Sequence, residues 1–417
     1  MKKVVIRPVD DPSLEEGIGK LRILAFPYFP EVRDLDFYFF VYHRRWERHP
    51  LAGELRRWVA VTGEGEVVGH LSGLPQYYRL NGRRVIAHTP ADYMAHPKHG
   101  FQALALMRTF YRACENCVAC DMVPATIVIE TRLGAEEAGE LSYALKLLDV
   151  SRIPALPAPT PVRRLLNLPE RNSSAPVRGY PGQASGSEGA ETTQGPPGRE
   201  PPAVRERQQL PAPVKGLLNG GLRAIDRGLA RAFGGGLRVE ELDGFDESFD
   251  GFFERVAAAV ACVPEKDTAF LRWRYGPGSP LGWRYGPDSP QWPVTILGVR
   301  GGEGLLGYAV LYITADMDGY VLDLTALPGR RDVTRALILE AVGYFRKAGA
   351  HVIRYRYQDS PTSPRPGDLK RLAFFYRKSR RNTLLVKFSD TGLHEAAHDL
   401  TNWSYTIGDG EASFWLR

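Results

Sequence analysis

Apolar and polar positions change period several times along the chain, and the changes repeat. In the first half a run Trp58-Val59-Ala60-Val61 is followed by Gly63-Glu64-Gly65 and then Val67-Val68-Gly69-His70-Leu71. In the second half Val294-Thr295-Ile296-Leu297 is followed by Gly302-Glu303-Gly304 and then Leu305 to Val310. Two short apolar runs around a Gly-containing turn predict a β-hairpin each time. Each hairpin leads to a further strand (Val85 to Met94; Tyr320 to Leu327), a proline (Pro97; Pro328) and a helix. Another strand comes next (Ala125 to Glu130; His351 to Tyr357), then a helix carrying Tyr143 or Tyr376. In the second half the central helix starts near Asp332, with Val333, Ala336, Leu337, Ala341, Tyr344 and Phe345 on one face and Gly349 as its stop. Matching positions are 238 residues apart at Gly69 and Gly307, 231 at Pro97 and Pro328, and 233 at Tyr143 and Tyr376. The near-constant offset predicts a tandem duplication of one β-rich α/β domain.

Between the halves the periodicity vanishes. From Leu166 to Pro213 the chain is rich in Pro, Gly, Ser and charge, and it cannot bury enough apolar surface to offset the entropy of ordering. The expected division is therefore 1–165, a disordered linker over 166–213, and 214–417, the last opening with an amphipathic helix from Leu217 to Phe233. Inside the second half WRYGPGSPLG (273–282) is followed by WRYGPDSPQW (283–292). Two copies cannot build a solenoid, so this reads as a local duplication in a Pro-Gly loop.

Composition narrows the function. The 417 residues carry 54 Lys and Arg against 48 Asp and Glu, a net charge of +6. That mild excess suits a bound anion better than a nucleic-acid footprint. No stretch approaches the ~18 apolar residues of a membrane helix, and the first residues are interrupted by charge too soon for a signal peptide. A cytoplasmic protein without a membrane span is expected. Four cysteines are no disulfide framework.

The order hairpin, strand, proline-containing turn, helix, strand, helix resembles the GNAT N-acetyltransferase superfamily, and in particular the bacterial tandem-GNAT proteins of polysaccharide and cell-envelope loci. The segments that carry the resemblance are AFLRWRYGP (269–277), GEGLLGYAVL (302–311), YVLDLTALPGRRDVTRALI (320–338), RLAFFYRKS (371–379) and NWSYTIGDGE (402–411). It implies an α/β fold of two tandem GNAT-like domains, each a mixed, mostly antiparallel sheet flanked by helices. It also implies acetyl-CoA or another acyl-CoA as co-substrate and an amine of a sugar or small metabolite as acceptor.

On this resemblance the pyrophosphate of the carrier sits at the N-terminus of the central helix, where free N–H groups and the helix dipole favour anions. In the second half the turn offers Gly329, Arg330 and Arg331. In the first half it offers His99, Gly100 and Gln102 after His96-Pro97-Lys98, with only one glycine of the family's pattern. The second half is thus the better anion cradle by residue type. Tyr376 and Tyr143 fall where the superfamily often places the tyrosine that protonates the departing thiolate, and both also suit plain core aromatics. Asp92 and Asp323 lie in the preceding strands, as base or as structural carboxylate.

Other functions compete. A Fem-type aminoacyl transferase takes its acyl group from charged tRNA, and nine Lys and Arg between Arg354 and Arg381 would be its path. A binding module that kept the fold and lost the chemistry fits the missing glycines. His394-Glu395-Ala396-Ala397-His398 matches the HExxH of zinc hydrolases but lacks a third ligand, since 401 and 404 are Thr and Ser. Cys114, Cys117 and Cys120 have knuckle spacing with only Cys262 to complete it, so buried thiols and no metal are expected.

Overall fold

The computed structural model describes residues 4–26, 33–150, 212–234, 236–286, 289–302, 304–377 and 382–416. The linker expected at 166–213 lies outside them apart from its last two residues, which begin a helix. One compact unit comprises 1–149 and 221–417 and holds both sheets; a second comprises 150–220. In the second, the Val150 N–H donates to Asn219 Oδ1 at 2.9 Å.

The first half runs β1 (Val4–Pro8), α1 (Leu14–Ala25), α2 (Leu35–Tyr42), β2 (Arg56–Thr62), β3 (Val67–Leu80), β4 (Arg83–Ala95), α3 (Phe101–Ala113), β5 (Cys117–Ala119), α4 (Pro124–Arg132), β6 (Glu136–Glu140) and β7 (Ser142–Leu147). The second runs α5 (Ala212–Phe233), β8 (Val239–Leu242), α6 (Ser248–Ala257), β9 (Cys262–Pro264), α7 (Thr268–Tyr275), β10 (Thr295–Gly301), β11 (Gly304–Ile313), β12 (Asp318–Ala326), α8 (Arg331–Lys347), β13 (Val352–Tyr357), α9 (Pro366–Arg371), β14 (Phe375–Arg377), β15 (Thr383–Lys387) and α10 (Thr391–His398). Both hairpins and the central helix of the second half form where the apolar periodicity puts them. Val333, Leu337, Ala341 and Phe345 of α8 are buried against β10, β11 and β12.

There are two mixed, mostly antiparallel sheets with helices against them; the first takes β9 and β15 from the second half of the sequence, and the second takes β7 from the first half. The first has the order β1-β2-β3-β4-β5-β15-β6, with β9 added to β3; the second has the order β14-β7-β13-β12-β11-β10-β8. Thus β7 lies between β13 and β14, and β15 between β5 and β6. The break in sequence periodicity does not coincide with the division into sheets.

Three local expectations are corrected. Ala125 to Glu130 is part of α4: the β-branched run reads as a strand, but Pro124 occupies the first turn and Thr126, Ile127 and Glu130 are buried on one helical face. The matching strand is the short β5. Tyr143 and Tyr376 lie on strands instead of helices, because SYALKL pairs with β13 and FYR pairs back onto β7. Both tyrosines therefore belong to the second sheet.

The repeated WRYGP stretch supplies docking groups for the first half. Trp273 packs on Trp46, with centroids 4.9 Å apart, and Trp283 on Phe37 and Phe40 at 5.5 and 5.1 Å.

Candidate functional site

In each half the strand before the central helix carries a β-bulge with a buried aspartate beside it. The β3–β4 register slips between His70 and Ser72, and Asp92 adopts φ 51°, a left-handed conformation that short polar side chains tolerate. Its carboxylate accepts from Arg22 Nη1 at 3.0 Å and from the Tyr38 hydroxyl, and lies 2.8 Å from His70 Nδ1. The β11–β12 register slips at Val310, opposite Asp323. Asp323 is fully buried and paired with Lys266 Nζ at 2.9 Å, and it accepts from Tyr308 and Thr325 at 3.1 and 2.9 Å.

Residues 404–415 run between the two aspartates and bring an acid to each. Asp409 joins the Lys266–Asp323 pair, with Lys266 Nζ at 3.0 Å. Glu411 accepts the Tyr42 hydroxyl and the backbone N–H of Asp92. Burial pushes the Glu411 carboxyl up to about 7, and the Asp92 charge adds to the effect. Gly408 is required here: a Cβ would sit 1.8 Å from Tyr275 Oη and 2.8 Å from Leu322 O.

The two turns before the central helices differ. In the second half Arg331 makes a two-point pair with Asp368 at 2.9 and 3.0 Å, and Arg330 pairs with Asp332 at 2.7 Å. Gly329, at φ 78°, donates its N–H to Pro361 O, and Ala326 donates to Thr362 O. Beyond Val321, where β12 and β13 stop pairing, the gap between them is closed by residues 358–363 and by the tail, through Gln358 N–H to Tyr405 O at 2.7 Å and the bridge Tyr357–Thr406. Tyr376 lies at the rim, its hydroxyl 3.1 Å from that of Tyr357 and donating to Pro366 O at 3.0 Å. Tyr143 accepts from Arg354 Nη1 at 3.0 Å.

In the first half β4 and β5 share one paired position, His88 with Cys117, and then part. Past it the Thr89 hydroxyl donates to Val118 O at 2.7 Å, and beyond that no backbone hydrogen bond among the described residues joins the two strands as 358–363 joins the other pair. At its mouth His96 Nδ1 accepts the Lys98 N–H at 3.1 Å, His99 is half-buried, Gln102 is buried, and a Cβ on Gly100 would meet nothing within 4 Å. Phe101 is 56% exposed and Leu104 36%, facing water from the first turn of α3, with Val123 45% exposed ahead of α4. Deeper, Tyr111 donates to Glu130 Oε2 at 2.9 Å, while Glu130 Oε1 and the Tyr93 hydroxyl are buried without partners among the described residues. Burial raises Glu130 to about 8, so a neutral acid sits against two phenols at neutral pH.

The motifs with metal spacing do not converge. His394 and His398 place Nε2 3.5 and 3.3 Å from the two oxygens of Glu136, and His394 Nδ1 accepts the Phe388 N–H. That acceptor role puts the proton of the neutral His394 ring on Nε2, the atom a metal would need bare. The four cysteines are buried and free, Cys114 and Cys117 in one core cluster and Cys120 and Cys262 in another. No group of His, Cys, Asp or Glu among the described residues has metal-site geometry. In the basic run Arg354 is paired with Asp318 and Arg356 with Asp121. No described helix is long and apolar enough to cross a membrane.

Sequence reasoning names both aspartates and both turns, which the structure places beside the bulges and at the starts of the central helices; it gives no role to Glu411, Asp409, Lys266 or Glu130. Glu411 and Asp409 stand in a segment that carried the resemblance, so the signal was present without an assigned partner.

No protein-family model matches the chain, and no curated protein sequence does. Solved structures do. A GCN5-related N-acetyltransferase from Anabaena variabilis is 11% identical over 95% of this chain and 75% of that one, with a TM-score of 0.51. A conserved protein from Enterococcus faecalis described as a probable N-acyltransferase is 10% identical over 94% and 74%, with a TM-score of 0.49. Saccharomyces cerevisiae N-myristoyltransferase with bound myristoyl-CoA is 9% identical over 93% and 82%, with a TM-score of 0.47. The chain thus has the α/β fold of the GCN5-related N-acetyltransferases, built as two mixed sheets.

Proposed function

We propose that the protein is an acyl-CoA-dependent N-acyltransferase whose first sheet holds the acyl carrier and whose acceptor is an amine of a sugar or small metabolite. The observation that carries the reading is the contrast between the wedges: beyond the Thr89–Val118 bond no backbone hydrogen bond among the described residues bridges the first, whose flanks expose Phe101, Leu104 and Val123, whereas the second is closed by the chain's own 358–363. Exposed apolar side chains around a cleft mark a ligand groove. In this reading His99, Gly100 and Gln102 border the diphosphate at the start of α3, and the acyl end reaches the β4 bulge. One solved neighbour of the fold is an N-acetyltransferase, which supports the reaction class.

An amine attacks a thioester only after losing its ammonium proton. Glu411, poised near neutrality beside the bulge, is the base the reading assigns. As the C–N bond forms, the C–S bond breaks, and the thiolate leaves on the carrier and takes the second proton that the nitrogen sheds in becoming an amide. Asp323 has a structural part here, neutralising Lys266. Tyr143 and Tyr376 take no part in this reading, since both lie on the second sheet, where Tyr143 accepts from Arg354 and Tyr376 donates to Pro366 O.

The test is acetyl-CoA binding by thermal shift and calorimetry. Gly100→Trp should abolish binding, whereas Arg330→Ala with Arg331→Ala should leave it within about twofold, since charge-assisted bonds made to protein carboxylates contribute nothing to a carrier elsewhere. Loss of binding in the arginine pair with retention in Gly100→Trp moves the carrier to the second half. Binding of no acyl-CoA refutes the activity.

A further inference from the structure

A narrow pocket opens beside Glu411, between the β3–β4 hairpin and α7. Trp46, Phe270 and Trp273 wall it, and its polar groups include Gln76, Arg274, Asp409 and Glu411. Its free volume is about 20 Å³, room for one small group such as the end of a short molecule.

The hydrogen-bond balance of this pocket is one-sided. Gln76 Nε2, Trp273 Nε1 and Arg274 Nε are all buried N–H donors with no acceptor among the described residues. A fourth such donor, Arg45 Nη1, belongs to a guanidinium held 3.7 Å above the Trp273 ring. The one unmatched acceptor of the lining is Asp409 Oδ1, whose other oxygen is paired with Lys266. Arg45 and Arg274 are 7% and 5% exposed, and among the described residues neither forms an ion pair with a carboxylate. Arg274 is instead fixed through Nη2, which donates to Gly410 O and to Ser413 Oγ at 2.8 Å, and its guanidinium stacks 4.1 Å from the Phe414 ring. Buried positive charge with unused donors, whose neighbouring acid Asp409 is already engaged by Lys266, is costly to fold unless a ligand supplies a further acceptor.

We infer that this pocket recognises a carboxylate of the acceptor, received by Arg274 Nε, Trp273 Nε1 and Gln76 Nε2. The acceptor is then a short amino acid in the broad sense, its carboxylate end filling the free space at Arg274 and its amine directed toward Glu411. Aromatic walls suit the carbon atoms next to the carboxylate, and the small free volume admits that end of the molecule alone. This rests on the reading of Glu411 as the base that meets the acceptor amine.

The full chain is titrated by calorimetry with glycine, β-alanine and 4-aminobutanoate, each against its primary amide, in the absence of acyl-CoA. At least one acid should bind, and its amide should bind at least about tenfold more weakly, as expected on loss of a charge-assisted hydrogen bond. Arg274→Gln should erase the preference for acid over amide while leaving acetyl-CoA binding unchanged. Should that variant fail to fold, Trp273→Phe, which keeps the ring and deletes the N–H, should reduce the preference several-fold. Failure of all three acids to bind, equal binding of acids and amides, or an undiminished preference in the folded variant overturns the inference. Since the titrations contain no acyl-CoA, an acid that binds in a protein that never binds acyl-CoA sinks the transferase and leaves the carboxylate site; the converse leaves the transferase and sinks the site.

Discussion

Replacing Glu130 by Gln should stabilise the protein above neutral pH and change little in mild acid. The carboxyl is fully buried on α4, accepts from Tyr111, and has a second oxygen with no partner among the described residues. Burial lifts it from 4.5 to about 8. Below pH 4.5 the group is protonated in both folded and unfolded chains and contributes no pH dependence. As pH rises from 4.5 to 8 the unfolded chain gives up this proton and the folded chain keeps it, so stability falls with pH; above 8 both are ionised and the loss is complete. At about 1.4 kcal/mol per pH unit the full loss comes to roughly 5 kcal/mol. An amide copies the neutral acid, keeping an acceptor for Tyr111 and an N–H donor where the acid had O–H. Urea unfolding followed by tryptophan fluorescence at pH 5, 7 and 8.5 should therefore show wild type and Glu130→Gln nearly equal at pH 5 and the variant ahead by several kcal/mol at pH 8.5. Glu411 titrates in the same direction in both proteins and cancels from the difference. Parallel stability profiles across that range would refute a neutral Glu130.

In the transferase reading kcat/KM should rise with pH to a half-maximum at about 7, set by ionisation of Glu411, and Glu411→Gln should flatten the profile and lower the plateau about a hundredfold or more. A variant with the wild-type inflection would place the base elsewhere. Lys266→Met leaves Asp323 and Asp409 buried side by side without their cation and should cost about 3 to 5 kcal/mol in denaturant titrations near pH 7, with the cost shrinking in acid as a carboxylate takes up a proton. Gly408→Ala forces a methyl into the space of Tyr275 Oη and should cost on the order of 3 kcal/mol by the same measurement; a neutral effect would mean that the tail does not pack against Tyr275 as seen.

Much of the local structure was legible because it is written in local periods. The helix over Arg331–Lys347 follows from residues three and four apart that share a face, and the hairpins at Gly63-Glu64-Gly65 and Gly302-Glu303-Gly304 follow from alternation around glycine. The offset between the halves announced two copies of one α/β unit, and the bulge aspartates and the turns at His99 and Gly329 lay at matching places in them. Tertiary structure decided what such periods do not contain. A strand pattern states that a segment has a buried face and free edges, not which edge it will meet, so nothing in SYALKL or TLLVK announces that β7 and β15 trade sheets. The run Thr126-Ile127-Val128-Ile129 favours a strand by residue type, yet burial of Thr126, Ile127 and Glu130 on one face makes it a helix. The site follows the same division. Asp92 is placed by its own strand, but Glu411 reaches it across 319 residues of sequence, and Arg45 meets the ring of Trp273 across 228. Those approaches exist only once both sheets have formed, and they are what lift one carboxyl toward neutrality and bury two guanidinium groups with donors unused.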